Sequence, residues 1–184
     1  METLFTSTLT VALAEIGDKT QLLSLLLAAR FRNKAGIIAG ILVATLLNHA
    51  ASAWFGTWLS QFLFGTTGKV VLSLSFILLA FWLLIPDKED DDAIKYAKYG
   101  AFVVSLVLFF LAEIGDKTQV ATVALASTYN SVLWVTMGST LGMLIANVPV
   151  VYAGEKLMTK IPFNYARIAA AGVFILVGLS ILLT

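Results

Sequence analysis

The residues Leu-Ala-Glu-Ile-Gly-Asp-Lys-Thr-Gln occur twice, at 13–21 and at 111–119. Each copy sets acids, a lysine, a hydroxyl and an amide into otherwise apolar sequence. Glu15, Asp18, Glu113 and Asp116 supply carboxylates, while Gln21 and Gln119 add amide oxygens. If the two copies meet face to face, they form an oxygen-rich cage with no sulfur. Such ligands suit the harder divalent cations Ca²⁺, Mn²⁺ and Mg²⁺. Clustered carboxylates also repel one another, so without a metal the cage holds protons. A cation that enters expels those protons, and protons that enter expel the cation. That exchange is the chemistry of an antiporter.

The elements that must carry these residues are built for lipid. Of 184 residues, 59% are hydrophobic and only 12% are charged, with a mean hydropathy of +0.92. Soluble domains carry roughly 25% charged residues. Six apolar segments lie near residues 3–29, 35–58, 68–85, 99–127, 131–153 and 164–183, each long enough for a membrane helix. Pro86 and Pro162 fall at breaks between them. The first segment has no basic leader or cleavage site and reads as a retained helix rather than a signal peptide. A net charge of +1 without a basic stripe gives no basis for nucleic acid binding. The absence of cysteine excludes disulfides and thiolate sites, and the single histidine, His49, cannot form a zinc site by itself.

Glu15 and Glu113 lie 98 positions apart, and that offset relates other residues too. Gly40 falls on Gly138, Leu46 on Leu144, Gly56 on Gly154, and Phe76-Ile77-Leu78 on Phe174-Ile175-Leu176. The chain therefore reads as a tandem duplication of a three-helix unit: residues 1–85, a charged linker at 86–98, and residues 99–184. An odd number of helices per unit makes the second unit enter the membrane in the opposite sense. The basic residues agree. Arg30, Arg32, Lys34, Lys88, Lys95, Lys98, Lys156, Lys160 and Arg167 belong to one side, against Lys69 alone on the other. The positive-inside rule then places the linker in the cytoplasm and both termini outside. The expected fold is an all-α integral membrane protein of six transmembrane helices, arranged as two inverted three-helix repeats. In such transporters the site lies near the midplane, between the repeats.

Glu15 and Glu113 sit near the middle of their segments. A carboxylate at that depth costs roughly 2.5–3.5 kcal/mol on insertion scales, so four unpaired ones cost on the order of 10 kcal/mol. In an unbroken helix Glu15 and Asp18 lie about 60° apart, on one face, and Lys19 joins them. Thr20 points away from that face, and a ligand role for it requires local unwinding at Gly17, as for Thr118 at Gly115. These glycines equally suit close helix approach. A plainer reading makes each motif an i, i+4 ion pair, Glu15–Lys19 and Glu113–Lys117, that joins helices. It leaves the repeated Asp and Gln without a role.

Several further residues need placing. Gly36, Gly40 and Ala44, with Gly138, Gly142 and Ala146, form small-residue stripes that suit close packing. Asn48, His49 and Asn147 read first as interhelical hydrogen-bonding groups, with lining of the site the alternative for all three and a proton relay a further one for His49. Pro149 should free the carbonyl of Ile145. Trp54, Trp58 and Trp134 lie near segment ends, where interfacial aromatics sit.

Both motifs match the pattern E-x-G-D-[KR]-[TS] and so resemble the signature of the GDT-type cation/proton antiporters. That family falls in the cation/calcium exchanger group and includes bacterial manganese exporters and Golgi Ca²⁺/Mn²⁺ transporters. The resemblance covers essentially the whole chain. It implies proton-coupled export of Mn²⁺, or of Ca²⁺, with Glu15, Asp18, Glu113 and Asp116 on the ion and Thr20, Thr118, Gln21 and Gln119 beside them. It also implies a bacterial inner membrane location and no cofactor beyond the transported cation and protons. The partners expected are the cation and the lipid bilayer, and a homo-oligomer is left open. The rivals are a proton-coupled organic-solute exporter, an intramembrane aspartyl protease built on Asp18 and Asp116, and a passive channel.

Overall fold

The computed structural model describes residues 1–63, 65–85, 99–154 and 163–183. Among these the secondary structure is helical, with no strand. Eight helices follow in order: α1 (Glu2–Glu15), α2 (Lys19–Arg30), α3 (Lys34–Ser60), α4 (Gly65–Leu83), α5 (Ala101–Glu113), α6 (Lys117–Tyr129), α7 (Val132–Ala153) and α8 (Phe163–Leu183). The linker at 86–98, Pro86, Pro162, Lys156 and Lys160 lie outside the described residues.

The ends of the apolar segments coincide with helix ends to within a few residues, with one correction. The first and fourth segments are each two half-helices, α1 with α2 and α5 with α6, broken inside the repeated motif. The one-face arrangement expected for Glu15, Asp18 and Lys19 in a continuous helix therefore does not form. Local chemistry sets the other ends. Asn33 caps α3 by accepting from the Gly36 amide at 2.9 Å. Asn130, in the left-handed region at φ 48°, ends α6, and the Ser131 hydroxyl accepts from the Trp134 amide at 3.4 Å to start α7.

α3, α4 and α7 are long and apolar enough to cross a membrane. The distribution of residue types is the reverse of a soluble domain's. Leu47, Leu78, Phe81, Ile168 and Leu176 are more than half exposed, whereas Ser7, Thr10, Thr45, Ser105 and Ser139 are wholly buried. Lipid is a good solvent for that outer shell, and the chain is a membrane protein. Trp54, Trp58 and Trp134 are exposed near the end of α3 and the start of α7.

Helix packing relates the two halves position by position. A Cβ on Gly40 would lie 2.7 Å from the Phe102 carbonyl and from Ser105 Cβ on α5. A Cβ on Gly138 would lie 2.7 Å from the Leu4 carbonyl and from Ser7 Cβ on α1. Leu4 and Phe102, like Ser7 and Ser105, are 98 positions apart. Gly142 likewise sits against the Thr8 carbonyl. The small-residue stripes are thus close-packing faces, along which van der Waals contact replaces the hydrophobic effect as the cohesive force. α4 packs on α8, where Phe76 meets its own counterpart Phe174 with ring centroids 6.0 Å apart. Phe76 and Phe174 are themselves 98 positions apart. The apolar core falls into two clusters, one around Phe76, Leu125 and Phe174 and the other around Ile37, Ile41, Phe109 and Met143.

Candidate functional site

The site begins with the two helix breaks. α1 gives way to extended Ile16 (φ −68°, ψ 113°), Gly17 at φ 82° and extended Asp18 (φ −84°, ψ 165°). α5 gives way to Ile114 (φ −67°, ψ 119°), Gly115 at φ 76° and Asp116 (φ −82°, ψ 164°). A side chain at such a positive φ is strained, whereas glycine is not. Among the described residues no atom beyond its chain neighbours lies within 4 Å of a Cβ built on Gly115, so its torsion calls for glycine there.

A break inside a membrane is tolerated when its backbone groups find partners. Here the motif supplies its own. Gln21 Oε1 accepts from the Gly17 amide at 2.9 Å, and Gln119 Oε1 accepts from the Gly115 amide at 2.7 Å. The Asp18 and Asp116 amides donate back to the Glu15 and Glu113 carbonyls at 3.1 and 3.2 Å. Gln21 Nε2 also donates to the Ala146 carbonyl at 2.9 Å, which ties the break to α7. This is the carbonyl next to Ile145, the one expected to be freed by Pro149. The Gly17 carbonyl accepts from Arg167 Nη2 on α8 at 3.3 Å.

Glu15 and Glu113 are wholly buried. They and Asp116 each bring a carboxylate oxygen within 4.8 Å of the others'. Asp18 is buried but is not part of this group. Because the helices break, Thr20 turns inward and its hydroxyl donates to Glu15 Oε2. In the second motif Thr118 Oγ1 lies 3.0 Å from Glu113 Oε2 and 3.1 Å from Asp116 Oδ2. That hydroxyl has one proton to give. The two contacts share that one proton, or a proton on one of the carboxyl groups completes them. Glu15 Oε1 and Glu113 Oε1 make no hydrogen bond among the described residues. Unpaired buried carboxylate oxygens are costly, so both atoms are poised to take a proton or a cation. α2 and α6 start at this site, and their N-terminal dipoles favour negative charge there.

The lysines depart from the i, i+4 pairing. Lys19 Nζ reaches the other motif and lies 3.1 Å from Asp116 Oδ1. Lys117 Nζ donates to the Ile85 carbonyl at 2.8 Å. Asn48 makes the interhelical bond expected of it, donating to the Phe110 carbonyl at 3.1 Å. Asn147 accepts from the Ser24 hydroxyl at 2.8 Å, and its Nδ2 lies 3.5 Å from Glu15 Oε2. His49, the counterpart of Asn147, makes no hydrogen bond among the described residues; its Nε2 lies 3.9 Å from Glu113 Oε2. Sequence reasoning did not identify Ser24. Its counterpart Thr122 also carries a hydroxyl, so extending the 98-residue comparison one turn past the motif would have found it.

Comparison with known proteins follows the same two-part pattern. A family model described as "Divalent cation/proton antiporter GDT1" matches residues 3–91 and 101–184. A Vibrio cholerae serotype O1 protein described as "Putative manganese exporter" is 51% identical over 181 residues, covering 98% of this chain and 90% of that protein. A GDT1-like protein of Synechocystis is 30% identical over 178 residues, covering 84% of each chain. GDT1-like protein 4 of Oryza sativa subsp. indica is 28% identical over 206 residues, covering 96% of this chain and 71% of its own length. No solved structure matches the chain.

Proposed function

The chain belongs to the divalent cation/proton antiporter GDT1 family and is a transporter of divalent cations, not an enzyme; on that premise we propose that it exports Mn²⁺ in exchange for protons. The observation that carries this reading is the group formed by Glu15, Glu113 and Asp116, held at two helix breaks with one oxygen of each glutamate making no hydrogen bond among the described residues. In this reading Thr20 and Thr118 turn hydroxyl oxygens toward the ion. Asp18 completes the four-carboxylate set as the motifs shift during transport. Gln21 and Gln119 stand beside the ion by holding the breaks open.

The coupling follows from charge. Three or four carboxylates in a buried site are compatible with a divalent cation or with protons, and not with neither. One site that must always hold one or the other exchanges them across the membrane when it opens to each side in turn. Carbonyl ends of α1 and α5 and amide ends of α2 and α6 meet at this point, an arrangement suited to ions at the middle of a bilayer. Manganese is preferred to calcium because of the description of the Vibrio cholerae relative.

The reading includes six membrane crossings, with α1–α2 and α5–α6 each counted as one, and an inverted relation between residues 1–85 and 99–184. The two family-model matches begin 98 positions apart, and the glycine contacts exchange under the same offset, which supports the duplication. Charge bias supports a cytoplasmic 86–98 linker, termini outside, and a bacterial inner membrane as the location.

The test uses proteoliposomes with a trapped pH dye and an imposed Mn²⁺ gradient, comparing the wild type with Glu113→Gln. Proton movement should accompany Mn²⁺ in the wild type and vanish in the variant. Mn²⁺ flux without proton movement would make the protein a uniporter or channel. Absence of both Mn²⁺ and Ca²⁺ flux would favour a proton-coupled organic-solute exporter.

A further inference from the structure

The two halves of the site differ chemically at the related positions His49 on α3 and Asn147 on α7. Asn147 is committed. Its oxygen accepts from Ser24, and its amide nitrogen is near the Met143 carbonyl at 3.1 Å and Glu15 at 3.5 Å. It therefore presents hydrogens, not lone pairs, to the carboxylates. His49 is wholly buried, and neither ring nitrogen has a hydrogen-bond partner among the described residues. A buried imidazole normally has its N–H satisfied.

The 3.9 Å between His49 Nε2 and Glu113 Oε2 is too long for a hydrogen bond. It is short enough for a shared ion. Ligand bonds of about 2.1 Å, as small divalent cations make, span up to about 4.2 Å between two donors on opposite sides of the metal. One cation could thus bridge the two atoms at about the separation they already have.

From this geometry we infer that His49 is a nitrogen ligand to the transported ion, paired with Glu113, and sets the preference for a transition metal over Ca²⁺ and Mg²⁺. The inference rests on the exporter reading above. Carboxylates and hydroxyls alone bind Mn²⁺, Ca²⁺ and Mg²⁺ alike, whereas an imidazole nitrogen adds affinity for the first-row transition metals, least for Mn²⁺ and more for the later ones. Ca²⁺ also prefers longer bonds, of about 2.3–2.6 Å, and more oxygens. A single nitrogen donor in one half of an otherwise oxygen-lined site separates two ions of equal charge.

Because His49 is the only histidine, labelling it needs no mutation. Mn²⁺ is bound to the purified wild-type protein, prepared with natural-abundance or ¹⁵N-labelled histidine, and examined by electron spin-echo envelope modulation. A nitrogen coupling that changes with the label places the imidazole on the metal. The second measurement compares Mn²⁺ and Ca²⁺ uptake into proteoliposomes for the wild type and His49→Asn, which copies the other half. The apparent Mn²⁺ affinity should fall on the order of 10-fold, with the Ca²⁺ affinity changing less than about twofold. Bound Mn²⁺ with no histidine coupling overturns the inference, as does an equal loss for both ions or no loss for either. In those cases wild-type Mn²⁺/H⁺ exchange still stands, so the exporter reading survives. A wild type that exchanges neither ion for protons removes both.

Discussion

Lys19 on α2 and Asp116 at the start of α6 form an ion pair across the two motifs, with Nζ 3.1 Å from Oδ1. The pair joins residues 97 positions apart, whereas the i, i+4 rule would have kept Lys19 on its own helix. It places an ammonium group on one of the three carboxylates that converge in the site. If the proposed site is the cation's, the ion must compete with that charge, and the absence of the lysine should be felt in equilibrium binding before it is felt in stability.

Lys19→Gln should therefore tighten Mn²⁺ binding by about fivefold, corresponding to roughly 1 kcal/mol for a partly exposed pair. Isothermal titration of the purified variant measures it. Weaker binding would mean that Lys19 orients Asp116 for the ion instead of competing with it.

Gln119 Oε1 holds the Gly115 amide at 2.7 Å, and an acceptor is all that this bond requires. Gln119→Ala leaves the amide unpaired and should cost about 1–3 kcal/mol, seen as a lower melting temperature in detergent. Gln119→Glu retains an acceptor oxygen and should keep more of the wild-type stability than the alanine variant. Equal losses in the two would show that the side-chain bond does not hold the break.

Thr118 is bonded to Glu113 and adjoins Asp116 through one hydroxyl. Thr118→Ser keeps that oxygen and should retain most of the transport rate. Thr118→Val keeps the shape, removes the oxygen, and should reduce cation-coupled proton flux by at least tenfold, since about 1.4 kcal/mol suffices for that factor. Indistinguishable serine and valine variants would remove the hydroxyl from the site.

Gly40 and Gly138 pack against equivalent positions of α5 and α1 with the same 2.7 Å clearances for an added Cβ. Gly40→Val and Gly138→Val should each destabilise the protein by about 1–3 kcal/mol, because the helices must separate to admit the side chain. Thermal unfolding of the two variants should give similar shifts. A large difference would argue against equivalent packing in the halves. Gly115→Ala provides a contrast, because among the described residues nothing lies within 4 Å of its Cβ. Its cost should come from the positive φ alone, about 1–2 kcal/mol.

Much of the site was legible in the sequence because duplication makes function periodic. The nine-residue identity singled out Glu15, Asp18, Glu113 and Asp116, and the 98-residue offset linked Gly40 with Gly138 and His49 with Asn147. Apolar run length located the helix ends of α3, α4 and α7, since a bilayer imposes a length on whatever crosses it. The breaks at Gly17 and Gly115 were legible only as an option. Glycine permits φ 82° and φ 76° but does not require them. The helical-wheel grouping of Glu15 with Asp18 assumed the wrong alternative.

The sequence by itself determined a helical membrane chain, its duplicated acidic motif and the kind of cation that such oxygens suit. Those properties reside in local composition and spacing, which each segment carries wherever it is placed. Only the tertiary structure decided that Glu15 meets Glu113 and Asp116 while Asp18 stands outside the group, that Lys19 crosses to the opposite motif, and that His49 faces Glu113 with neither nitrogen hydrogen-bonded among the described residues. These relations join residues from 64 to 101 positions apart, and they depend on the torsions of two broken helices and on glycine contacts that bring the halves together. A carboxylate's partner in a membrane is whatever the packing brings within about 4 Å, because no bulk water is present to take its place.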